Sequence, residues 1–256
     1  MTNEIPPAWL ILALVSPVVG SFIGTVVVRN GTGQSPLRGR SQCDTCQHVL
    51  SWQDLVPLFS WLWLGRKCRY CGAMLSTFYP LVELAAVLPI LWAATVLSGR
   101  LLVASALLGW LLLALALIDW RSKRLPDYLT LTLLALGIGT ALAFDQMALF
   151  SHIIGAVAGY LIFAAVAALY RIVRKQEGLG LGDAKLLAGL GAWVSWEGLP
   201  AVIFLGAIAD LLFVLVRSLI LQQLTWKSAR TERFAFGPFL ALAGWIVWLY
   251  GPLMPG

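Results

Sequence analysis

Apolar residues in this chain run in long blocks, and short polar connections separate the blocks. The first block, Trp9 to Val28, carries no charge over about twenty residues, which as a helix rising about 1.5 Å per residue crosses a hydrocarbon core of about 30 Å. Further blocks follow at about Leu81 to Leu97, Leu101 to Ile118, Tyr128 to Phe144, Ala148 to Tyr170, Ala184 to Val194, Leu199 to Ile220 and Phe234 to Leu253, so the pattern predicts eight spans, the sixth of them short. Before the first block Glu4 is the sole charged side chain, and no small-x-small site closes it, so it reads as a span and not as a cleaved signal. One sizeable polar stretch interrupts the pattern, from about Arg29 to Tyr79, opening with the Gly, Thr, Gln, Ser and Pro of a loop. The expected fold is an all-α polytopic membrane protein of about eight transmembrane helices with a small domain between the first two. Its expected organisation is a first span over 1–29, a cysteine-rich domain over 30–79 and a membrane domain over 80–256. No internal repeat or low-complexity segment stands out.

Composition makes the bilayer the solvent. Charged residues are 12% of the chain and hydrophobic residues 60%, whereas a soluble domain is about a quarter charged. The net charge of +6 would suit nucleic acid, but the placement of the basic residues explains it better. Arg29, Arg38, Arg40, Arg66, Lys67 and Arg69 fall in the first connection, Arg121, Lys123 and Arg124 in the third, Arg171, Arg174 and Lys175 in the fifth, and Lys227, Arg230 and Arg233 in the seventh; the opposite connections hold only Arg100. By the positive-inside rule the odd connections are cytoplasmic, both termini lie outside the cytoplasm, and no nucleic-acid partner is needed.

The polar stretch holds all four cysteines, as Cys43-Asp44-Thr45-Cys46 and Cys68-Arg69-Tyr70-Cys71 with 21 residues between the pairs. Such knuckles can set four thiolates tetrahedrally around Zn²⁺, and persistent disulfides are disfavoured in the cytoplasm, so structural zinc is the expected reading, with redox or simply reduced thiols as the alternatives. Four cysteines leave no open position for catalysis. Between the knuckles, Trp52 to Leu64 is too apolar for a solvated loop and too interrupted for a span, which fits an amphipathic segment lying at the interface or packing on the knuckles. His48 and His152 lack ligand spacing and read as structural.

Two aspartates carry the candidate chemistry. An ionised carboxylate at mid-membrane costs roughly 2.5 to 3.5 kcal/mol, so acids bordering apolar spans are functional candidates. Asp119 closes the third block at a helix C-terminus, where the macrodipole disfavours it; its bland reading is an ion pair with Arg121 or Lys123. Asp183 follows Gly178, Gly180 and Gly182, glycines that would let a peptide backbone approach, and its bland reading is a helix cap. Asp127, after Pro126, reads first as a helix start and second as a rival to Asp119. Glu83 and Asp210 are either functional or satisfied interhelical contacts, and Lys185 is a possible supporting residue. There is no G-x-S-x-G elbow and no H-E-x-x-H pair, so serine-hydrolase and zincin mechanisms lack their signatures. By composition alone a transporter or scaffold with a zinc knuckle is the rival class.

Together these residues resemble the bacterial type IV prepilin peptidases, GxGD-type aspartic membrane enzymes also called prepilin leader peptidase and N-methyltransferase. Gly20-Ser21-Phe22, the two cysteine pairs, Leu58 to Trp61 and Tyr79 to Leu84 resemble the family's amino-terminal half; Leu117-Ile118-Asp119, Leu125-Pro126-Asp127, Gly180 to Leu187 and Phe236-Gly237-Pro238 resemble its peptidase half. The 64-residue separation of Asp119 and Asp183 resembles that of the family's two essential aspartates. Gly24 and Ala235 depart from the family's common Asn and Pro, and the first knuckle lacks the Pro that usually follows its first Cys. The resemblance implies an inner-membrane enzyme that removes the basic leader of prepilins or pseudopilins after a Gly, with Asp119 and Asp183 as the catalytic pair. It also implies methylation of the new N-terminus from S-adenosyl-L-methionine, at residues the sequence does not identify; a peptidase without that second activity is the alternative.

Overall fold

A computed structural model describes residues 7–32, 39–174, 180–221 and 235–251. Gly178, Arg38, Lys175, Lys227, Arg230 and Arg233, together with the ends of the eighth block, lie outside these residues. The elements in chain order are α1 (Ala8–Thr32), α2 (Phe59–Trp63), α3 (Phe78–Ala85), α4 (Leu88–Ala94), α5 (Gly99–Ser122), α6 (Asp127–Phe144), α7 (Leu149–Arg174), α8 (Leu181–Leu221) and α9 (Gly237–Tyr250), with short 3₁₀ turns at Trp52–Leu55 and Gln146–Ala148. Among the described residues there are no strands, only two isolated bridges. Five of the helices are long and apolar enough to cross a membrane, and the shorter apolar helices over 78–94 and 237–250 join them.

One predicted span is split in two and the join between two others is a sharp kink, each for a local reason. The second is broken into α3 and α4, because Pro89 has no N–H to continue the ladder. The indole of Trp110 takes up a carbonyl at the break, donating to Ala86 O at 3.1 Å. The sixth and seventh are the two helical arms of α8, separated by a kink at Ser195, whose backbone is non-helical (φ 60, ψ 179). That break strands carbonyls in the preceding turn, and His152 answers one by donating from Nδ1 to Ala192 O at 2.9 Å. Its role is structural.

The chain divides into two compact units between Ala114 and Leu115, within α5. In the first, α1 packs on α3 and α4. Gly20 makes the approach possible, since a Cβ there would stand 2.6 Å from Glu83 Cα. The cysteine-rich segment follows α1, and between its knuckles Trp52, Phe59, Leu62 and Trp63 turn outward, Trp63 being 90% exposed. In the second unit α8 is the central element, with α6, α7 and α9 packed on it. Where the surrounding medium is as apolar as a leucine side chain, close packing has to hold helices together. Gly155 and Gly159, four residues apart on α7, meet α8 backbone to backbone: a Cβ on Gly155 would lie 2.5 Å from Gly191 O, and one on Gly159 2.6 Å from Leu187 O. Leu133, Leu187, Leu190 and Leu240 are fully buried in this unit.

Candidate active site

Asp119 and Asp183 come together in the second unit, each at a helix end. Asp119 sits in the last turn of α5, which closes with Lys123 in the left-handed region (φ 53), its N–H donating to Asp119 O at 2.8 Å. Its carboxylate is buried, with 5% of the residue exposed. Oδ2 accepts a hydrogen bond from Gly237 N at 3.0 Å, a buried contact spanning 118 residues of sequence. Gly237 opens α9, with Pro238 behind it, so the acid faces the positive end of a helix. The unfavourable dipole of its own helix is therefore met by a favourable one from α9. No side chain fits at 237, where a Cβ would stand 2.6 Å from Asp119 Oδ2.

Asp183 is half-buried in the first turn of α8, at that helix's positive end, and its own N–H donates to Gly180 O at 3.1 Å. It lies close enough to Asp119 to feel the repulsion of its charge. Gly180 borders its carboxylate, since a Cβ there would stand 3.6 Å from Oδ2, and Gly182 lies against Leu125. Two like charges thus meet where two helix N-termini point. Lys123 is near enough to attract Asp119 through space, but the carboxylate's hydrogen bond goes to α9.

The other acids are placed differently. Asp127 stands in the first turn of α6 with its side chain 63% exposed, paired to Lys185 Nζ at 2.5 Å. Glu83 is buried in the first unit, its Oε2 accepting from Leu58 N at 2.8 Å. Asp210, on the second arm of α8, keeps Oδ1 without a hydrogen-bond partner among the described residues.

The four cysteine sulfurs lie within 4.8 Å of one another and could hold a metal ion. Cys43 Sγ and Cys71 Sγ are 3.8 Å apart, which is close to the roughly 3.8 Å edge of a tetrahedron with metal–sulfur bonds of about 2.3 Å. The two knuckles repeat one another bond for bond. Cys43 N donates to His48 O, Gln47 N to Cys43 O and Leu50 N to Ser41 O; at the same offsets Cys68 N donates to Ala73 O, Gly72 N to Cys68 O and Leu75 N to Arg66 O. The residue after each second cysteine is left-handed, Gln47 (φ 57) in one knuckle and Gly72 (φ 71) in the other. His48 stacks on Tyr70 across the pair, with ring centroids 3.7 Å apart. Amide hydrogen bonds from Cys46 and Thr45 bring the Cys43 thiol down to about 7. Ala73's amide lowers Cys71, but burial and the bonds shared with the other three sulfurs outweigh it and hold that thiol at about 12.

Residues 14–97 match the Bacterial Peptidase A24 N-terminal domain, and residues 106–215 match the Type IV leader peptidase family. A prepilin leader peptidase/N-methyltransferase of Aeromonas salmonicida (strain A449) is 41% identical over 213 residues, covering 83% of this chain and 72% of its own length. The chain belongs to the type IV leader peptidase family. Relatives of the same name from Aeromonas hydrophila and Pectobacterium carotovorum subsp. carotovorum are 36% and 34% identical, and in both more than nine-tenths of each chain is covered. No solved structure matches the chain. The leader peptidase family match covers Asp119 and Asp183 but stops short of Gly237, which sequence reading noticed as part of a motif without seeing what it does. The signal was there: a Gly-Pro pair opening a helix leaves one amide free to donate.

Proposed function

We propose that this inner-membrane, multi-pass enzyme removes the short basic leader of prepilins or pseudopilins after a Gly, with Asp119 and Asp183 as its catalytic pair. The observation that carries the proposal is the buried Asp119 carboxylate hydrogen-bonded to the first amide of α9 beside Asp183. In this mechanism the two carboxyl groups share one proton, because two like charges brought together cannot both ionise cheaply. One then takes a proton from water as it attacks the peptide carbonyl, while its partner protonates the leaving amine. The pair titrates as a unit, so neither acid has a fixed role. Gly180 and Gly182, which carry no side chain, would let the substrate backbone approach. The alternation of basic connections supports a cytoplasmic side for this site and the cysteine-rich segment, the side on which the basic leader of a precursor remains, with both termini opposite.

The second activity is N-methylation, which the names of the relatives state for those proteins, with S-adenosyl-L-methionine as the methyl donor and the new N-terminal amine as the acceptor in this proposal. Cys43, Cys46, Cys68 and Cys71 would hold a structural Zn²⁺, which supplies folding free energy to a segment with little core of its own. Co-expression with a prepilin, followed by intact mass of the product, tests the whole reading. Asp119→Asn and Asp183→Asn should each leave the precursor uncleaved while the protein still inserts; substantial cleavage by either variant rejects the pair.

A further inference from the structure

The first unit encloses a cavity of about 300 Å³, at the lower end of the roughly 300 to 1,000 Å³ typical of small-molecule sites. Its wall draws on Ser21 of α1, on the first knuckle and the turn after it between Arg40 and Leu55, on Leu58 to Trp61 at the start of α2, on Met74 to Ser76 after the second knuckle, and on Tyr79 to Glu83 of α3. None of these segments takes part in the aspartate site.

We infer that this cavity is the binding site for the methyl donor S-adenosyl-L-methionine, with Glu83 answering its cationic sulfonium end and the Trp61 indole N–H donating to its purine. The inference rests on the methyl-transfer half of the proposed function. Three observations support it independently of that reading. Trp61 Nε1 is buried in the wall without a hydrogen-bond partner among the described residues, a donor whose desolvation is uncompensated until something enters. Leu58 occupies a rare left-handed turn (φ 60, ψ −48) closed by Phe59 N donating to Pro57 O at 2.6 Å, and the buried Glu83 carboxylate holds it there through Leu58 N. Backbone strain of this kind persists only where its surroundings enforce it, and it clusters at binding and catalytic sites. The wall also carries both signs of charge, with Arg40 as well as Glu83, as a zwitterion with a separate cationic centre requires. The aromatic ring of Tyr79 adds a face that attracts a sulfonium cation.

The full-length enzyme in detergent, irradiated with donor tritiated on its methyl group, should take label on peptides from the wall, chiefly 58–61 and 79–83. Two conservative variants read the contacts without activity. Glu83→Gln keeps an oxygen for Leu58 N and removes only the charge. It should weaken S-adenosyl-L-methionine about tenfold while weakening the neutral S-adenosyl-L-homocysteine far less. Trp61→Phe keeps the ring and removes the N–H, and should weaken both ligands about tenfold. Bound metal content checks that each variant is folded. Label confined to residues outside the wall, or unchanged affinity in both folded variants, overturns the assignment even if wild type methylates its product. A wild type that neither binds the donor nor methylates its product overturns the methyl-transfer reading itself.

Discussion

Gly237 is fixed by the atom in front of it. With a Cβ there only 2.6 Å from Asp119 Oδ2, even alanine must push α9 and the acid apart. Since a displacement of about 1 Å at a catalytic group can lower a rate by about 10²-fold, Gly237→Ala should cut the turnover of leader removal by roughly that factor while the protein stays in the membrane. Single-turnover cleavage of a prepilin measures it, and unchanged turnover would show that the Gly237 amide does not position Asp119. The two aspartates stood out in the sequence as candidates because a carboxylate beside an apolar span needs a reason. Their surroundings were not. The donor to Asp119 stands 118 residues away, and no local pattern shows which helix start will face which acid. Glu83 stood out for the same reason as the aspartates, yet its partner is a backbone amide in a connecting segment, and spacing rules say nothing about that.

Helices were legible as blocks and illegible at their breaks. Pro89 splits the second block, and the sixth and seventh blocks are the two arms of α8, which meet at the Ser195 kink with almost no connection between them. The knuckle repeat was hidden for another reason: what recurs is a hydrogen-bond pattern carried by different residues, with Gln47 in one copy taking the backbone conformation that Gly72 takes in the other. Asp54 ties the 3₁₀ turn between the knuckles to the second of them. Its Oδ2 accepts from Ser51 N at 3.1 Å and Ser51 Oγ at 2.7 Å, and Oδ1 pairs with Arg69 Nε at 3.0 Å in a setting where the Asp54 side chain is 3% exposed. Burial pushes its carboxyl up, but the Ser51 hydrogen bonds and Arg69 outweigh it and leave the group below the ordinary carboxylate value. A carboxyl lowered by folding stabilises the fold above its unfolded value and loses that contribution as pH falls through the folded one. Wild type should therefore resist heating better than Asp54→Asn at pH 6, with the gap closing below about pH 4. A gap that widens on acidification would mean the folded carboxyl is already protonated at neutral pH.

At the scale of the whole molecule, the candidate acids and Gly237 lie in the unit that begins at Leu115, and the four cysteines lie in the other. A strong chelator should therefore unfold the cysteine-rich segment, lower methylation of the product and spare leader removal; the masses of precursor, cleaved product and methylated product separate the three. Loss of cleavage in parallel with the metal would show that the metal also supports the aspartate pair. Architecture was the most legible level, because block length is set by the bilayer itself. The division inside α5 was not, since an unbroken apolar helix gives no sign of where one set of neighbours gives way to another. The bond between Asp119 and Gly237 also fixes when activity can begin. A ribosome has most of the membrane domain behind it before the amide that receives Asp119 has been made, so a nascent chain arrested ahead of α9 holds both acids and lacks the contact that seats the first. On the proposed mechanism the enzyme is in this sense its own timer, and a precursor meeting it during synthesis should pass uncut until α9 is threaded.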